Sequence, residues 1–167
     1  KLFFNSKVFI LNYGKQWSTI LIRGKKAYVY SKDIKSINYT HNNSCYWVNI
    51  ALKFLNTSYL WGGKSCLGID CSALIQLALA GINISFPRNT IDQIDSKLLS
   101  LVPESKIDKG VLIFWRGHVA LAISQTDIIH ANAYHMRVER ESFKNAKKRI
   151  ENSYGKIIKI NKLNIET

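Results

Sequence analysis

Cys71, His118 and His130 are the residues of this sequence whose types and settings could do chemistry, and that chemistry would be attack of a thiolate on an amide carbonyl. A thiol attacks efficiently only as its anion, and an ordinary cysteine, with a pKa of about 8.5, is mostly protonated at neutral pH. Cys71 follows Asp70 at the head of Ser72-Ala73-Leu74-Ile75-Gln76-Leu77-Ala78-Leu79-Ala80, an almost wholly apolar run closed by Gly81. If that run is a helix, its first turn presents unpaired amides and the positive end of the macrodipole. The position therefore predicts a lowered thiol pKa and offers the cysteine's own N–H to an oxyanion. The plainer reading is a small buried hydrophobe. The polar opening Gly68-Ile69-Asp70-Cys71-Ser72 is more than that plainer reading requires.

His118 follows Gly117 and leads into Val119-Ala120-Leu121, which puts an imidazole at the start of a strand. His130 ends the apolar pair Ile128-Ile129 twelve residues later, and a hairpin can make the two rings neighbours. A nucleophile, a base and a third group that fixes the base's tautomer form the generalised triad. Taken singly, each histidine is more often a structural residue; jointly with Cys71 they favour catalysis. Zinc competes for the same side chains, since Cys66, Cys71, His118 and His130 could supply four ligands; the usual C-x-x-C and H-x-x-x-H spacings are absent, so no metal and no cofactor is expected. Three cysteines cannot all pair, and Cys66 with Cys71 closes too short a loop for a secretory staple, which favours reduced thiols.

The elements that must hold these residues follow from periodicity. Residues 8–34 alternate as short strands with turns at Tyr13-Gly14 and Arg23-Gly24, a piece of a small barrel. Ile34 to Asn43 reads as a linker, and Ser44 offers an N-cap to a helix over 45–56 whose Trp47, Ile50, Ala51 and Phe54 share one face. The helix after Asp70 has no polar face and must be central. Beyond Pro87, Asn89 or Thr90 could cap a short helix to Leu99. Strands are then predicted at Val111–Trp115, His118–Ser124 and Ile128–Ala133, as antiparallel neighbours, followed by a helix over 140–152 and a strand at Lys156–Ile160.

The runs Tyr59-Leu60-Trp61-Gly62-Gly63, Asp70-Cys71-Ser72, Gly117-His118-Val119-Ala120 and His130-Ala131 resemble, in order, the signature blocks of NlpC-type cell-wall cysteine peptidases. The resemblance covers residues 44–160, and residues 8–35 are similar to the last strands of a bacterial SH3-like barrel that often precedes this domain. It implies an α+β fold: a papain-like catalytic domain at 44–167, with a central antiparallel sheet and packed helices, preceded at 1–36 by a partial SH3-like β segment. It implies hydrolysis of peptidoglycan stem peptides, typically between the γ-carboxyl of D-glutamate and a diamino acid. By motif, Cys71 matches the nucleophile, His118 the base, His130 the third position, and Tyr59 the tyrosine lining the site. Asp70, Ser72 and Pro87-Arg88 resemble members acting on short peptides with a free L-alanine amine, where the acidic residue before the nucleophile binds that amine. Asp70 thus has two roles open, cap and amine anchor. Arg88 reads either as a reader of a substrate carboxylate or as a solvated loop arginine. Two departures stand out: Ala73 where the family usually has glycine, and Thr90 where a serine is common.

The chain has 167 residues, 47% of them apolar, enough for one domain of this size to bury roughly 70% of its unfolded surface. The net charge of +13 is uneven: residues 1–35 carry eight basic side chains against one acid, 36–136 seven against six, and 137–167 nine against four. The stretch with the chemical motifs is nearly neutral, so nucleic acid is not the expected partner, and Lys147-Lys148-Arg149 reads as the solvated face of a helix. The expected partner is a peptide derived from peptidoglycan. No run approaches the roughly 18 apolar residues of a membrane span. The chain starts at Lys1 and not Met, so an upstream segment is expected. A free-amine substrate and reduced thiols favour a cytoplasmic setting over a periplasmic or secreted one. The competing functions are an acyltransferase or amidase using the same Cys and His, and a degenerate peptidase that only binds cell-wall peptide.

Overall fold

The computed structural model describes residues 2–37 and 45–164. Ser44, His41 and most of the expected linker lie outside them. The chain divides into two compact units, residues 1–40 and 41–167. In the first, strands β1 (Phe9–Asn12), β2 (Trp17–Ile22) and β3 (Lys25–Tyr30) form an antiparallel meander. Arg23 and Gly24 join β2 to β3 with φ of 48° and 75°, the paired positive values of a tight hairpin turn. Trp17 and Tyr30 are register partners, and their rings stack at 3.9 Å.

The second unit is built on a six-stranded, wholly antiparallel sheet. In chain order its strands are β6 (Leu99–Leu101), β7 (Val111–Trp115), β8 (His118–Ala122), β9 (Asp127–Asn132), β10 (Arg137–Ser142) and β11 (Lys159–Leu163). They lie side by side as β10-β9-β8-β7-β11-β6. Both faces are covered, which is why β7 reads Val-Leu-Ile-Phe-Trp without a polar residue. Leu112, Phe114, Val119, Leu121, Ile129 and Ala131 pack with helices α1 (Tyr46–Leu52) and α2 (Cys71–Ala80). Val111, Ile113, Trp115, Ala120, Ala122 and Ile128 pack with Ala146 and Ile150 of helix α4 (Phe143–Tyr154). The strand period of two therefore sorts every side chain of the central strands to the α2 side or the α4 side.

Helix α2 is buried on nearly all sides, as its composition demands, and a short hairpin of β4 (Lys64–Ser65) and β5 (Gly68–Ile69) delivers the chain to its first turn. Several expected elements take different bounds. The helix expected at 45–56 ends at Leu52. The one expected to reach Leu99 is a single turn, α3 (Thr90–Gln93). Residues 137–142, four of the six charged, form strand β10, although 140–142 were expected to open the helix over 140–152, because burial of Val138 between β9 and the core outweighs their weak strand propensity. Gly81 stays right-handed at φ −69°, and Asn83 at φ 63° makes the left-handed turn instead.

Gly63 tests how tightly the hairpin is set, since a Cβ there would lie 2.5 Å from the Gly68 carbonyl oxygen and 2.9 Å from that of Leu60. Both obstacles are backbone and cannot rotate away. Gly63→Ala should therefore cost about 1–3 kcal/mol, seen as a lower urea midpoint; an unchanged midpoint would show that the hairpin is not packed this closely.

Candidate active site

Asp70 caps α2 in extended conformation, its Oδ1 accepting from the Ala73 amide at 2.8 Å. Ala73 thus fits the helix start without displacing it. The same carboxylate accepts from Gly62 N at 3.0 Å, Ser72 Oγ at 3.2 Å, and Arg88 Nη1 and Nη2 at 2.9 and 2.6 Å. Arg88 also donates to Ser72 Oγ at 2.9 Å and to the Gly63 carbonyl at 3.3 Å. The aromatic-glycine block, the helix cap and the Pro87-Arg88 block are thereby tied into one network around a carboxylate whose side chain is only 11% exposed. Gln93, which the sequence reading passed over, is wholly buried and donates to the carbonyls of Ser72 and Pro87 at 2.9 and 2.8 Å, holding α3 to the first turn of α2.

Cys71 is buried, 7% exposed, with Thr90 Oγ1 3.9 Å from its sulfur. The expectation of a lowered thiol pKa is corrected here. Burial pushes the thiol up and the Asp70 charge adds to it, against the backbone amides of Val119 and Ser72 and the Thr90 hydroxyl, which pull it down. A helix dipole contributes about 0.3–1 kcal/mol to a nearby anion, whereas taking an ion out of water costs several kcal/mol. Desolvation wins. Tyr59 is half-buried, and burial first, then the Cys71 and Asp70 charges, hold its phenol protonated above the ordinary range.

The histidines form a chain. His118 Nε2 lies 2.8 Å from His130 Nδ1, and His130 Nε2 lies 2.6 Å from Glu141 Oε1. Arg149 of α4 donates to the same Glu141 oxygen. The β8–β9 and β9–β10 registers explain the chain: Ala122 pairs with Ile128 and Glu139 with His130, so His118, His130 and Glu141 step diagonally across three strands on the face covered by α4. His118 opens β8, and the amide of the next residue, Val119, favours the Cys71 anion; among the described residues no hydrogen bond joins Cys71 to His118 itself.

Protons can be assigned along the chain. An ionised carboxylate only accepts, and Glu141 is held below its ordinary value by its bond to His130 and the Arg149 charge, despite burial. His130 Nε2 must then carry hydrogen, leaving a lone pair on Nδ1. That lone pair accepts from His118 Nε2–H, so the lone pair of neutral His118 is on Nδ1. Burial keeps both rings uncharged: His118 falls well below its usual value, with His130 and Arg149 adding to the effect, and His130 falls too, although Glu141 opposes this. The thiol and both imidazoles are therefore uncharged at neutral pH.

Glu141 and Arg149 were invisible in the sequence because they sat in runs read as helix and as solvated charge. The ligand atoms of His130, His135 and Glu141 lie within 4.8 Å of one another, but a cation there would face the Arg149 guanidinium on the same oxygen. Cys66, Cys71, His118 and His130 form no ligand group among the described residues.

The buried pair sets a pH dependence of stability. His118 and His130 have folded values below the 6.5 of the unfolded chain, so the unfolded state binds more protons as pH falls through 6.5, and stability declines from there toward their folded values. Glu141, lowered from 4.5, adds a further loss at more acid pH. The urea midpoint should fall between about pH 7 and pH 5, and fall less in His118→Gln; a flat midpoint over that range would contradict the burial of neutral imidazoles.

The sequence profile of the NlpC/P60 family matches residues 56–155. The chain is 40% identical over 87 residues to dipeptidyl-peptidase 6 of Lysinibacillus sphaericus, covering 51% of this chain and 31% of that protein. It is 31% identical over 100 residues to a gamma-D-glutamyl-L-lysine dipeptidyl-peptidase of Bacillus cereus, covering 55% and 29%. The matches thus span less than half of these relatives' own length. Among solved structures, an NlpC/P60 family protein from Bacillus cereus superposes with a TM-score of 0.80 at 22% identity, over 95% of this chain and 54% of that one. The peptidoglycan hydrolase RipB of Mycobacterium tuberculosis superposes at 0.59 and 23% identity, over 73% and 64%. These structures share the α+β fold of sheet and packed helices. The chain belongs to the NlpC/P60 family.

Proposed function

We propose that this chain is a cysteine peptidase that hydrolyses the bond between the γ-carboxyl of D-glutamate and a diamino acid in short peptidoglycan stem peptides. The observation that carries the reading is the hydrogen-bonded chain from His118 through His130 to Glu141, which leaves the lone pair of His118 on Nδ1, while the amide of the next residue, Val119, favours the Cys71 anion. The names of the relatives, dipeptidyl-peptidase and gamma-D-glutamyl-L-lysine dipeptidyl-peptidase, support the bond class. With thiol and imidazole both neutral at rest, proton transfer accompanies attack. The Cys71 proton passes to His118 Nδ1 as sulfur bonds to the γ-carbonyl carbon, and the oxyanion forms near the Cys71 amide. His118 then protonates the amine of the diamino acid, the C–N bond breaks, and a thioester remains. Water, giving its proton to His118, releases the γ-carboxylate and returns the thiol. His130 fixes the tautomer throughout.

In the same reading Tyr59, Ser72, Arg88 and Thr90 line the substrate cleft, and β1–β3 are the last strands of an SH3-like barrel whose domain ends near residue 36, with the catalytic domain at 44–167. The setting is cytoplasmic, where peptides with free L-alanine amines arise from wall recycling. Asp70 takes that amine by replacing one of the donors it already holds, which asks Arg88 to move.

Two experiments test this. Cys71→Ala should abolish release of diaminopimelate from L-alanyl-γ-D-glutamyl-diaminopimelate, and iodoacetamide but not a chelator should inactivate the wild type; release by the mutant would end the cysteine-peptidase reading. N-acetylating the tripeptide should lower kcat/KM by about tenfold or more, the worth of a charged hydrogen bond. Equal rates on both peptides would leave Asp70 as cap and Arg88 clamp alone.

A further inference from the structure

We propose that Glu141, clamped by Arg149, is a positioning residue that sets the tautomers of both histidines and so decides which nitrogen of His118 can take the thiol proton. This rests on the peptidase reading but concerns groups that reading does not need. The geometry is specific. Glu141 Oε1 accepts from His130 Nε2 at 2.6 Å and from the Arg149 guanidinium, on a strand and a helix that hold the acid from two sides. His135 Nδ1 stands 4.0 Å from the same oxygen and is itself hydrogen-bonded to Asn132 Oδ1 at 3.1 Å.

Without an obligate acceptor at His130 Nε2, His130 is free to carry its hydrogen on Nδ1. His118 would then have to accept at Nε2 and carry hydrogen on Nδ1, where the thiol needs a lone pair. One carboxylate thereby fixes two rings, because the 2.8 Å contact between them passes the choice along.

Arg149 answers a second difficulty. A bare carboxylate beside two imidazoles would favour imidazolium at rest, which cannot accept the thiol proton. The guanidinium matches most of that charge and opposes protonation of both rings. It leaves the direction of the hydrogen bond intact. Among the described residues, the titratable groups facing the Glu141–Arg149 pair are His130 from β9, and Tyr134 and His135 from the turn after β9, the Tyr134 ring centroid lying 4.3 Å from the Arg149 guanidinium carbon. The pair therefore acts as a directional acceptor with little net charge. When His118 becomes positive during turnover, the acid is two hydrogen bonds away and stabilises that charge.

The test uses the whole chain and separates this inference from the peptidase reading. In the wild type, nitrogen-15 correlation spectra of the imidazoles at neutral pH should show His118 and His130 both as Nε2–H tautomers. In Glu141→Leu, His130 should lose that single form, and kcat on the tripeptide should fall about a hundredfold or more, the range for a misset general base, with KM little changed. Glu141→Gln should restore most of the rate, because Arg149 donating at the same position orients the amide oxygen toward His130. Arg149→Met should instead move the acid limb of kcat to higher pH. Unaltered tautomers in Glu141→Leu would overturn the proposal, as would a kcat within a factor of about two of wild type. If the wild type cleaves no stem peptide at all, the peptidase reading fails, while the spectra still decide the tautomers.

Discussion

Helix α2 has no polar face, and that constraint organises the catalytic unit. Ten residues with Leu74, Ile75, Ala78 and Leu79 wholly buried can be accommodated only between the sheet and α1. Burying a Leu or Ile side chain is worth about 1.5–3 kcal/mol, so the helix position is strongly fixed by its own apolar surface. Its polar first turn then meets polar partners, as does Gln76, which donates to the Phe86 carbonyl at 2.8 Å. Asp70 satisfies the helix amides and also gathers Gly62, Ser72 and Arg88, so the carboxylate that ends the helix also closes the surrounding loops upon it. The thiol of Cys71 is rigid because the helix is rigid, and it is desolvated for the same reason.

Desolvation gives the site its chemical character. A thiol and two imidazoles withdrawn from water each resist charge, and the helix terminus is too weak to reverse this for Cys71. The site therefore holds no stored ion pair between thiol and imidazole; it holds a His118 lone pair aimed by hydrogen bonds. The sheet makes such aiming inexpensive. Adjacent antiparallel strands hold diagonal side chains in fixed reach, and three strands side by side turn separate residues of the sequence into one line from His118 to Glu141.

Much of this was legible from residue order. The apolar run after Asp70 forms the helix expected, with the cap expected, and Val111–Trp115 is a strand with the bounds expected. His118 and His130 meet across a hairpin because the turn closed by the Ile123 and Ser124 amides on the Asp127 carbonyl returns β9 along β8 with Leu121 opposite Ile129 and Ala122 opposite Ile128. The shorter elements escaped. Residues 137–142 hold a single buried apolar side chain among charges, too little for a period to be read, and β6 and the β4–β5 hairpin are two or three residues each.

By itself, then, the sequence determined which groups could react, because type and spacing near Cys71, His118 and His130 are local properties. It determined the central helix and strands, because hydrophobic periodicity is local too. Tertiary structure alone decided the direction of the Cys71 pKa, since burial is a sum over neighbours distant in the chain. It alone brought Glu141 and Arg149 to His130, because a sheet register and a helix packed over it set those contacts. Proton placement depends on who accepts from whom, and that is written in three dimensions.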